Sequence, residues 1–349
     1  MKKNQPPSAK RYRLDESPLF GLENRRKLAE LLRVDPSKLH SVEKSGLAGQ
    51  YKVWPDKESG RLITQPVGDL AVVHERLLTL LTRIAPPAYL HSAVKKRSYK
   101  TNAEEHRSGA VLKIDIRKFY PSIRYNFVFS FFREVMMCSV DIATILSKLC
   151  TATTHRHGVH MPTGSCISPL LSYWVNCRLF DALHALCASK GAAFTLYIDD
   201  MTMSGVGASR ALLTAVALRI KGFGYDYHKI KTYESVPAKV TGIMIVNGQL
   251  RLPHSRLRKI RETQLMLESA TGQDRTKLLA SLVGRLSEAE QIDPQLRPQR
   301  ERILQKYRDE WSAVVAARAQ KAAAATRRKQ QRASDNAAAK KTSPAVVSG

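Results

Sequence analysis

Two adjacent aspartates, Asp199 and Asp200, are of a type and spacing that could do chemistry. They lie between two short apolar runs rich in β-branched and aromatic residues, which predicts a tight β-hairpin with the acids at its bend. Neighbouring side chains of a strand point to opposite faces, so consecutive acids can reach one point only where the chain turns. Two carboxylates held that close repel each other unless a cation lies between them, and a site of hard oxygen atoms suits magnesium. The competing interpretation is a solvated turn.

A third acid, Asp115, ends an alternating apolar run that begins at Val111. Pro121 and Ser122 follow it and indicate a change of direction, so the run predicts a strand. If this strand lies beside the hairpin, the three carboxylates form a cluster able to hold two metal ions about 3.5–4 Å apart. That arrangement is used for phosphoryl transfer.

Helices and strands elsewhere in the chain must position these acids, and the periodicity of apolar residues predicts where those elements lie. Leucines and alanines at helical spacing predict helices over residues 24–34, 72–84, 170–187 and 208–221, and from 256 through 311 with an interruption at Pro294 and Pro298. A further helix is predicted to begin near Pro36, and residues 127–135 fit either a helix or a strand. Alternation around polar turns predicts hairpins centred on residues 57–60 and on Asn247-Gly248, the second after a strand from Val240 to Val246.

The charge of the chain points to a polyanionic partner. The 349 residues carry a net charge of +27, with a pI near 10.1. Such a balance favours nucleic acid over a membrane surface. No apolar run approaches the roughly 20 residues that cross a bilayer, and no signal peptide opens the sequence, so we expect a cytoplasmic protein without a membrane partner.

The five cysteines show no paired spacing and are odd in number, which is typical of reduced thiols. Cys150 precedes His155, His157 and His160, so a zinc site is one interpretation of this stretch. The other is a polar, glycine-containing loop that leads into Pro162.

Three motifs in order resemble those of reverse transcriptases. They are the strand ending at Asp115, the box that opens with Pro162-Thr163-Gly164, and Tyr197-Ile198-Asp199-Asp200. Two further strings resemble the Asn-Ala-X-X-His and Val-Thr-Gly signatures of bacterial retron reverse transcriptases: Asn102-Ala103-Glu104-Glu105-His106 and Val240-Thr241-Gly242. The resemblance covers about residues 51–261.

The resemblance implies an α+β fold of the right-hand polymerase type. Its parts would be fingers, a palm with an antiparallel sheet and helices, and a helical thumb. The expected bounds are an N-terminal basic segment with short helices at 1–50, fingers at 51–110, palm with finger insertions at 111–239, an RNA-binding thumb at 240–312 and a basic low-complexity tail at 313–349.

By resemblance, the catalytic residues would be Asp115, Asp199 and Asp200. The same three carboxylates and the backbone carbonyl of Ile116 would bind two Mg²⁺ ions.

The resemblance also implies contacts with the incoming deoxynucleotide. Arg61 and Arg97 would grip a triphosphate or, for Arg97, the template, and Tyr120 would block a ribose 2′-hydroxyl. Gly164 would allow close backbone approach, and Lys231 would lie near the leaving pyrophosphate. For Arg61, Arg97 and Lys231 a solvated surface charge is the alternative, and for Tyr120 the alternative is packing of the palm.

RNA contacts are implied for the two retron signatures and for the start of the thumb. They comprise Asn102, His106, Val240, Thr241, Gly242, Arg256, Arg258 and Lys259; Asn102 and His106 could instead cap a helix. Three residues depart from the family pattern: Thr163 replaces a Gln, Tyr173 replaces an Asn and His228 replaces an Asn. The first two put nucleotide selection in question.

The expected function is synthesis of single-stranded DNA on the protein's own structured noncoding RNA. A retron enzyme would be primed from an RNA 2′-hydroxyl, giving a branched RNA–DNA product from dNTPs, and would serve phage defence with a separate effector protein. A group II intron-like or other bacterial reverse transcriptase is the alternative, disfavoured because no maturase or endonuclease segment follows the thumb in this sequence. A non-catalytic RNA-binding derivative is the alternative from another class.

Overall fold

The computed structural model describes residues 11–37, 39, 49–234 and 237–341, with side chains as far as residue 327. Its contacts divide the chain into two compact units, Met1–Leu250 and Arg251–Gly349. The fold is a mixture of helices and antiparallel sheets, which confirms the α+β class predicted above.

The first unit contains nine helices and ten complete strands within the described residues. In chain order they are α1 (Arg25–Leu32), β1 (Tyr51–Pro55), β2 (Leu62–Pro66), α2 (Gly68–Leu81), α3 (Tyr99–Glu104), β3 (Val111–Ile116), α4 (Phe119–Ser122), α5 (Tyr125–Ser130), α6 (Val140–Leu149), β4 (Ala152–Thr154), β5 (Gly158–His160), α7 (Ser168–Val175), α8 (Cys177–Ser189), β6 (Ala193–Tyr197), β7 (Asp200–Ser204), α9 (Arg210–Gly222), β8 (Tyr227–Tyr233), β9 (Ala238–Val240) and β10 (Ile243–Val246).

A four-stranded antiparallel sheet of order β6-β7-β3-β8 forms the centre of this unit. Strand β3 shows why it lies in the middle: Leu112, Ile114 and Ile116 are buried and alternate with the half-buried Lys113 and Asp115. Period-two alternation sends the apolar set to one face and the polar set to the other. Helix α8 packs against β6, and α9 packs against β3 and β8. The face opposite the apolar set is therefore free to carry chemistry.

Smaller sheets flank the central one. Strands β1 and β2 form a hairpin, as do β4 and β5, and β9, β10 and β11 (Gln249–Arg251) form a third sheet. The strand predicted from Val240 to Val246 is wrong in one respect. Thr241 and Gly242 both take a positive φ, of 44° and 81°, so the chain reverses between β9 and β10. The turn at Asn247-Gly248 is confirmed, with φ of 51° and 73°.

The predicted helices are confirmed with shifted ends. The helix expected over 72–84 begins four residues earlier, at Gly68, and the one expected over 170–187 is two helices that meet at Asn176. Residues 127–135 are helical: α5 continues into a π-helical turn at Phe131–Val135. The helix predicted to begin near Pro36 and the N-terminal basic segment predicted at 1–50 lie partly outside the described residues.

The second unit is helical. Its helices are α10 (His254–Ser269), α11 (Gly272–Ile292), α12 (Arg297–Lys306) and α13 (Arg308–Lys341), with a 3-10 turn at Pro294–Leu296. The interruption that Pro294 and Pro298 predicted is thus confirmed. Buried aliphatic side chains of α11 supply much of the core, among them Leu279, Leu282, Val283, Leu286 and Ile292. Within the parts of both units that the structure describes, no helix is long and apolar enough to span a bilayer.

A close backbone contact after β7 gives a test of the fold. A Cβ atom at Gly207 would lie 1.8 Å from the carbonyl oxygen of Lys190, on the segment that leads into β6. We expect Gly207→Ala to lower the free energy of unfolding by about 3 kcal/mol, because two backbone segments must separate. At Gly222 an added Cβ meets nothing within 4 Å, so Gly222→Ala should change stability by less than about 1 kcal/mol. Chemical denaturation would contradict this packing if both variants matched the parent protein.

Candidate active site

Strand pairing brings the three predicted acids together. Strands β3 and β7 pair so that Asp115 lies opposite Asp200, and Tyr197 pairs with Asp200 across the hairpin. The hairpin loop is thus only two residues long, Ile198 and Asp199. Both acids are at the bend, as predicted: Asp199 is the second residue of the turn, and Asp200 is the first residue of β7.

The bend carries backbone strain. Ile198 has a φ of 62°, and a positive φ is an outlier for a β-branched side chain. The hydroxyl of Ser92, itself buried, accepts a hydrogen bond from the Ile198 N–H at 2.9 Å. This hydrogen bond helps to hold Ile198 in a backbone conformation that is unfavourable for a β-branched residue.

The electrostatics of the site follow from burial and like charge. Burial, followed by the charge of Asp115, raises the pKa of Asp199 to about 7. Burial also raises the pKa of Asp200, although the Lys113 ammonium opposes the shift. The Nζ atom of Lys113 lies 2.7 Å from a carboxylate oxygen of Asp200. Among the residues that the structure describes, no ion pair of this kind reaches Asp115 or Asp199, and a cation there would relieve the repulsion.

The carboxylate oxygens of Asp115, Asp199 and Asp200 are of the type that binds divalent cations, but their present arrangement does not form a complete set of metal ligands. Across the described residues, no group of three or more His, Cys, Asp or Glu side chains is placed to hold a metal ion. At the aspartates, Asp200 is paired with the Lys113 ammonium. The zinc interpretation of the His155, His157 and His160 stretch gains no support from this result; residues 152–160 form the β4–β5 hairpin.

Phe119 and Tyr120 are adjacent in the chain and have different surroundings. Phe119 is buried against the rings of Phe180 and Tyr225. Tyr120 is half-buried, and burial and then the charge of Asp199 raise the pKa of its hydroxyl. Phe119 packs the core, and Tyr120 lies beside the acids.

The three predicted cationic contacts have different surroundings. Arg61 is exposed at the start of β2. Arg97 is half-buried, and its Nη1 atom donates hydrogen bonds to the carbonyl oxygens of Pro87 and Leu90, the second at 2.7 Å. Lys231 is exposed on β8, opposite Lys113 of β3, and its charge acts on Asp200. Of the three, only Lys231 is shown within electrostatic reach of the acids.

Gly164 lies directly against β2. A Cβ atom there would approach the Cγ2 atom of Ile63 to 2.8 Å and the carbonyl oxygen of Thr64 to 3.0 Å. The close approach seen at Gly164 is to a strand of this chain. The predicted contact of Gly164 with the nucleotide stays a prediction.

A hydrogen bond joins the Val240-Thr241-Gly242 string to the start of helix α3, which also carries Asn102. The Thr241 hydroxyl donates to the carbonyl oxygen of Tyr99, the first residue of α3, at 2.7 Å. Asn102 on that helix is buried, and neither polar atom of its amide has a hydrogen-bond partner in the described part of the chain. Val240 is buried and Gly242 half-buried. Ser98, not Asn102, caps α3.

His106 is buried behind the β6–β7 hairpin. Its Nδ1 atom is 2.7 Å from the Ser204 hydroxyl and its Nε2 atom 2.6 Å from the Thr195 hydroxyl. Burial lowers its pKa to about 3. The ring therefore ties β6 to β7 as a neutral group.

The basic residues predicted to contact RNA in the second unit lie on α10. Arg256 is 3.1 Å from Glu288 and Arg258 is 3.6 Å from Glu262, while Lys259 is exposed. These ion pairs are largely exposed and contribute little to stability.

Sequence reasoning missed Lys113 and Ser92. Lys113 precedes Asp115 by two residues, so alternation alone places both on one face of β3; this signal was available. Nothing local marks Ser92, because its partner Ile198 is 106 residues away.

The crowded acids predict an unusual stabilising substitution. Asp199→Asn removes a buried charge that faces Asp115, so with a chelator at pH 8 the free energy of unfolding should rise by about 1–2 kcal/mol. The folded-state pKa is raised, so the native state retains its proton longer and the cost of the charge grows as pH rises from about 4 to 7. The gain should vanish near pH 4. Denaturation at both pH values measures it, with the exposed Asp141→Asn as control; equal or lower stability at pH 8 would contradict it.

The neutral imidazole of His106 predicts acid sensitivity. Its pKa is lowered in the folded state, so it contributes stability above pH 6.5 that is lost as pH falls from 6.5 toward 3, by up to about 1.4 kcal/mol per pH unit. His106→Gln should reduce that slope, whatever it does to overall stability. Urea denaturation between pH 7.5 and 4.5 tests this, and Thr153→Val, an exposed position without a titratable group, should leave the slope unchanged. An unchanged slope in the His106 variant would show that the ring is not held neutral.

Comparison with known proteins confirms the resemblance. No protein-family model matches the chain. Among curated proteins, retron Se72 reverse transcriptase of Salmonella heidelberg (strain 579083-10) is 28% identical over 268 residues, 71% of this chain and 68% of that protein. Retron Mx65 reverse transcriptase of Myxococcus xanthus is 29% identical, over 69% of this chain and 60% of its own length. Retron Ec86 reverse transcriptase of Escherichia coli is 26% identical, over 64% and 68%. The chain is thus homologous to several retron reverse transcriptases, which are RNA-directed DNA polymerases.

Proposed function

We propose that the chain is a retron-type RNA-directed DNA polymerase. The observation that carries this proposal is the pairing of β3 with β7, which places Asp115 opposite Asp200 and beside Asp199. In a chain homologous to retron reverse transcriptases, such a cluster is best explained as the site of nucleotidyl transfer. Residues 51–110 would act as fingers, 111–239 as palm and 240–312 as thumb.

The acids would hold two Mg²⁺ ions together with the backbone carbonyl of Ile116. Bound there, the ions would lower the pKa of the primer hydroxyl and shield the triphosphate and leaving group. Asp199, with its raised pKa, gives up its proton more readily when a cation is near. Lys113 holds Asp200 in place until then, so its ammonium limits repulsion among the three carboxylates.

Residues around the acids would select and orient the nucleotide. Tyr120 lies beside Asp199 and would exclude a 2′-hydroxyl by volume. Lys231 would neutralise charge on the leaving pyrophosphate. Arg61, exposed on the fingers hairpin, is free to reach a triphosphate, whereas Arg97 would act through the loop whose carbonyls it binds.

RNA recognition would use basic and signature residues in both units. Arg256, Arg258 and Lys259 present cations on α10 that suit an RNA backbone. The turn at Val240-Thr241-Gly242 would contact RNA at its half-buried backbone. Asn102 and His106 are buried, so we propose that they support that surface from within. The net charge of +27 supports a polyanionic partner.

The product would be a branched RNA–DNA hybrid primed from a 2′-hydroxyl of the protein's own noncoding RNA. The names of the relatives support the retron part of this proposal. We further propose a cytoplasmic role in phage defence with a separate effector protein.

A comparison in cells tests the proposal. The protein is co-expressed with its flanking locus, and RNA-linked DNA is isolated from the parent and from Asp199→Ala/Asp200→Ala. We expect a discrete single-stranded DNA that falls by at least about 100-fold in the double variant, because the carboxylates that hold the ions are gone. Asp141→Ala, an exposed acid on α6, is the matched control and should retain the product.

The RNA end of the product distinguishes a retron reverse transcriptase from the alternatives. An RNA end that resists removal until a debranching enzyme is added supports 2′-priming. Extension of a supplied primer without such a product would indicate another lineage of reverse transcriptase. Absence of both activities in the parent protein would contradict the proposed function and favour an RNA-binding derivative.

A further inference from the structure

The β1–β2 hairpin, the proposed fingers hairpin, has one edge that is covered by residues 162–168, the box that opens with Pro162-Thr163-Gly164. Strand β2 pairs with β1 along one edge. Along the other edge the backbone groups of Leu62 and Thr64 meet Thr163 and Gly164. An uncovered strand edge leaves N–H and C=O groups without partners. The box therefore supplies partners to this edge, although β1 and β2 remain a two-stranded sheet.

Five polar contacts make this junction, and their donors can be assigned. The Thr163 hydroxyl donates to the Leu62 carbonyl at 2.6 Å and accepts from the Thr64 N–H at 3.1 Å. The Thr163 N–H donates to the Thr64 hydroxyl at 2.9 Å, and the Gly164 N–H donates to the Thr64 carbonyl at 2.9 Å. The two hydroxyls are 3.2 Å apart. Because Thr163 already donates to Leu62, Thr64 is the donor between them.

Burial and close packing strengthen the junction. Thr64 is fully buried, so water does not compete for its bonds. The absence of a side chain at Gly164 lets the two backbones approach. The contact depends on Thr163 for its hydroxyl and on Gly164 for its closeness.

The far side of the box is fixed by a buried histidine. The Ser165 hydroxyl is 2.6 Å from Nδ1 of His74 on α2, and Nε2 of that ring is 2.7 Å from the Leu149 carbonyl. A carbonyl can only accept, so Nε2 carries the proton and Ser165 donates to Nδ1. Burial lowers the pKa of His74 to about 4, which keeps this arrangement at neutral pH. The box is thus held to α2 as well as to β2.

The chemistry of threonine explains the departure from the family pattern at this position. A hydroxyl on Cβ lies close to its own backbone and can serve a neighbouring strand edge as both donor and acceptor. The amide of a glutamine stands two carbons farther out. At residue 163 this chain therefore presents a group that binds its own fingers strand at short range.

We propose that Thr163 is a positioning residue that joins the β1–β2 hairpin to residues 162–168 as one rigid body and thereby sets the affinity for the incoming deoxynucleotide. The proposal rests on the proposed polymerase function. Arg61 immediately precedes Leu62, whose carbonyl accepts the Thr163 bond. Arg61 and the backbone around Gly164 are therefore held at a fixed distance from each other. A nucleotide that binds between them meets a preorganised site.

Nucleotide kinetics of purified protein on a primed RNA template test the proposal. Thr163→Val keeps the shape and removes the hydroxyl, so we expect the KM for dNTP to rise about tenfold with kcat changed less than about twofold. Thr163→Ser keeps the hydroxyl and should restore the parent KM. Thr64→Val should act like Thr163→Val, and the double variant should be no worse than either alone. Thr153→Val, an exposed strand position, is the control.

Hydrogen exchange separates failure of this junction from failure of the function. Protection of the amide hydrogens of Thr64 and Gly164 should fall in Thr163→Val and persist in Thr163→Ser and Thr153→Val, whether or not the protein polymerises. Unchanged protection, or equal KM values for the Val and Ser variants, would overturn the proposal. A kcat that falls together with kcat/KM would also overturn it, since that indicates a role in the chemical step. A parent protein without polymerase activity but with the expected exchange would instead contradict the proposed function.

Discussion

Repulsion between the Asp115 and Asp199 carboxylates is the constraint on which the site depends. Strand pairing sets Asp115 opposite Asp200, and the turn before Asp200 brings Asp199 near Asp115. Burial removes the water that would screen the two charges. Such a cluster costs stability, and proteins accept that cost where charge is needed for function. Asp200 is treated differently, because the Lys113 ammonium holds it. Asp115 and Asp199 therefore form the pair that a cation would neutralise, and Asp200 lies beside them.

The rest of the first unit can be understood as support for that cluster. The apolar face of β3 packs on helices, which leaves Lys113 and Asp115 together on the other face. Buried hydroxyl groups then fix what the sheet alone does not: Ser92 holds the strained turn, and Ser204 and Thr195 hold His106 between β6 and β7. Each of these bonds is shielded from water, so losing one partner leaves a buried polar group unpaired. The site is rigid because its polar contacts are buried.

Sequence alone predicted the elements well and the contacts between them poorly. Alternation in 111–116 and the flanking runs of the hairpin predicted β3, β6 and β7, because period-two burial is a local signal. The reversal at Thr241-Gly242 was missed, since a positive φ at threonine has no marker in the sequence. The Thr163–Thr64 contact joins residues 99 apart, so the departure at 163 could be seen but not explained. His106 shows the same limit: its motif was recognised, but its burial could not be.

The most direct test of the account is primer extension by purified protein on an RNA template, comparing the parent with Asp115→Asn at fixed dNTP concentration. The account predicts DNA synthesis that requires a divalent cation and falls by at least about 1,000-fold in the variant, because Asp115 is central to the acid cluster. Thermal stability measured with chelator should not fall in the variant, which would show that the loss is not misfolding. Equal synthesis by the two proteins, or synthesis in the presence of excess chelator, would contradict the central claim.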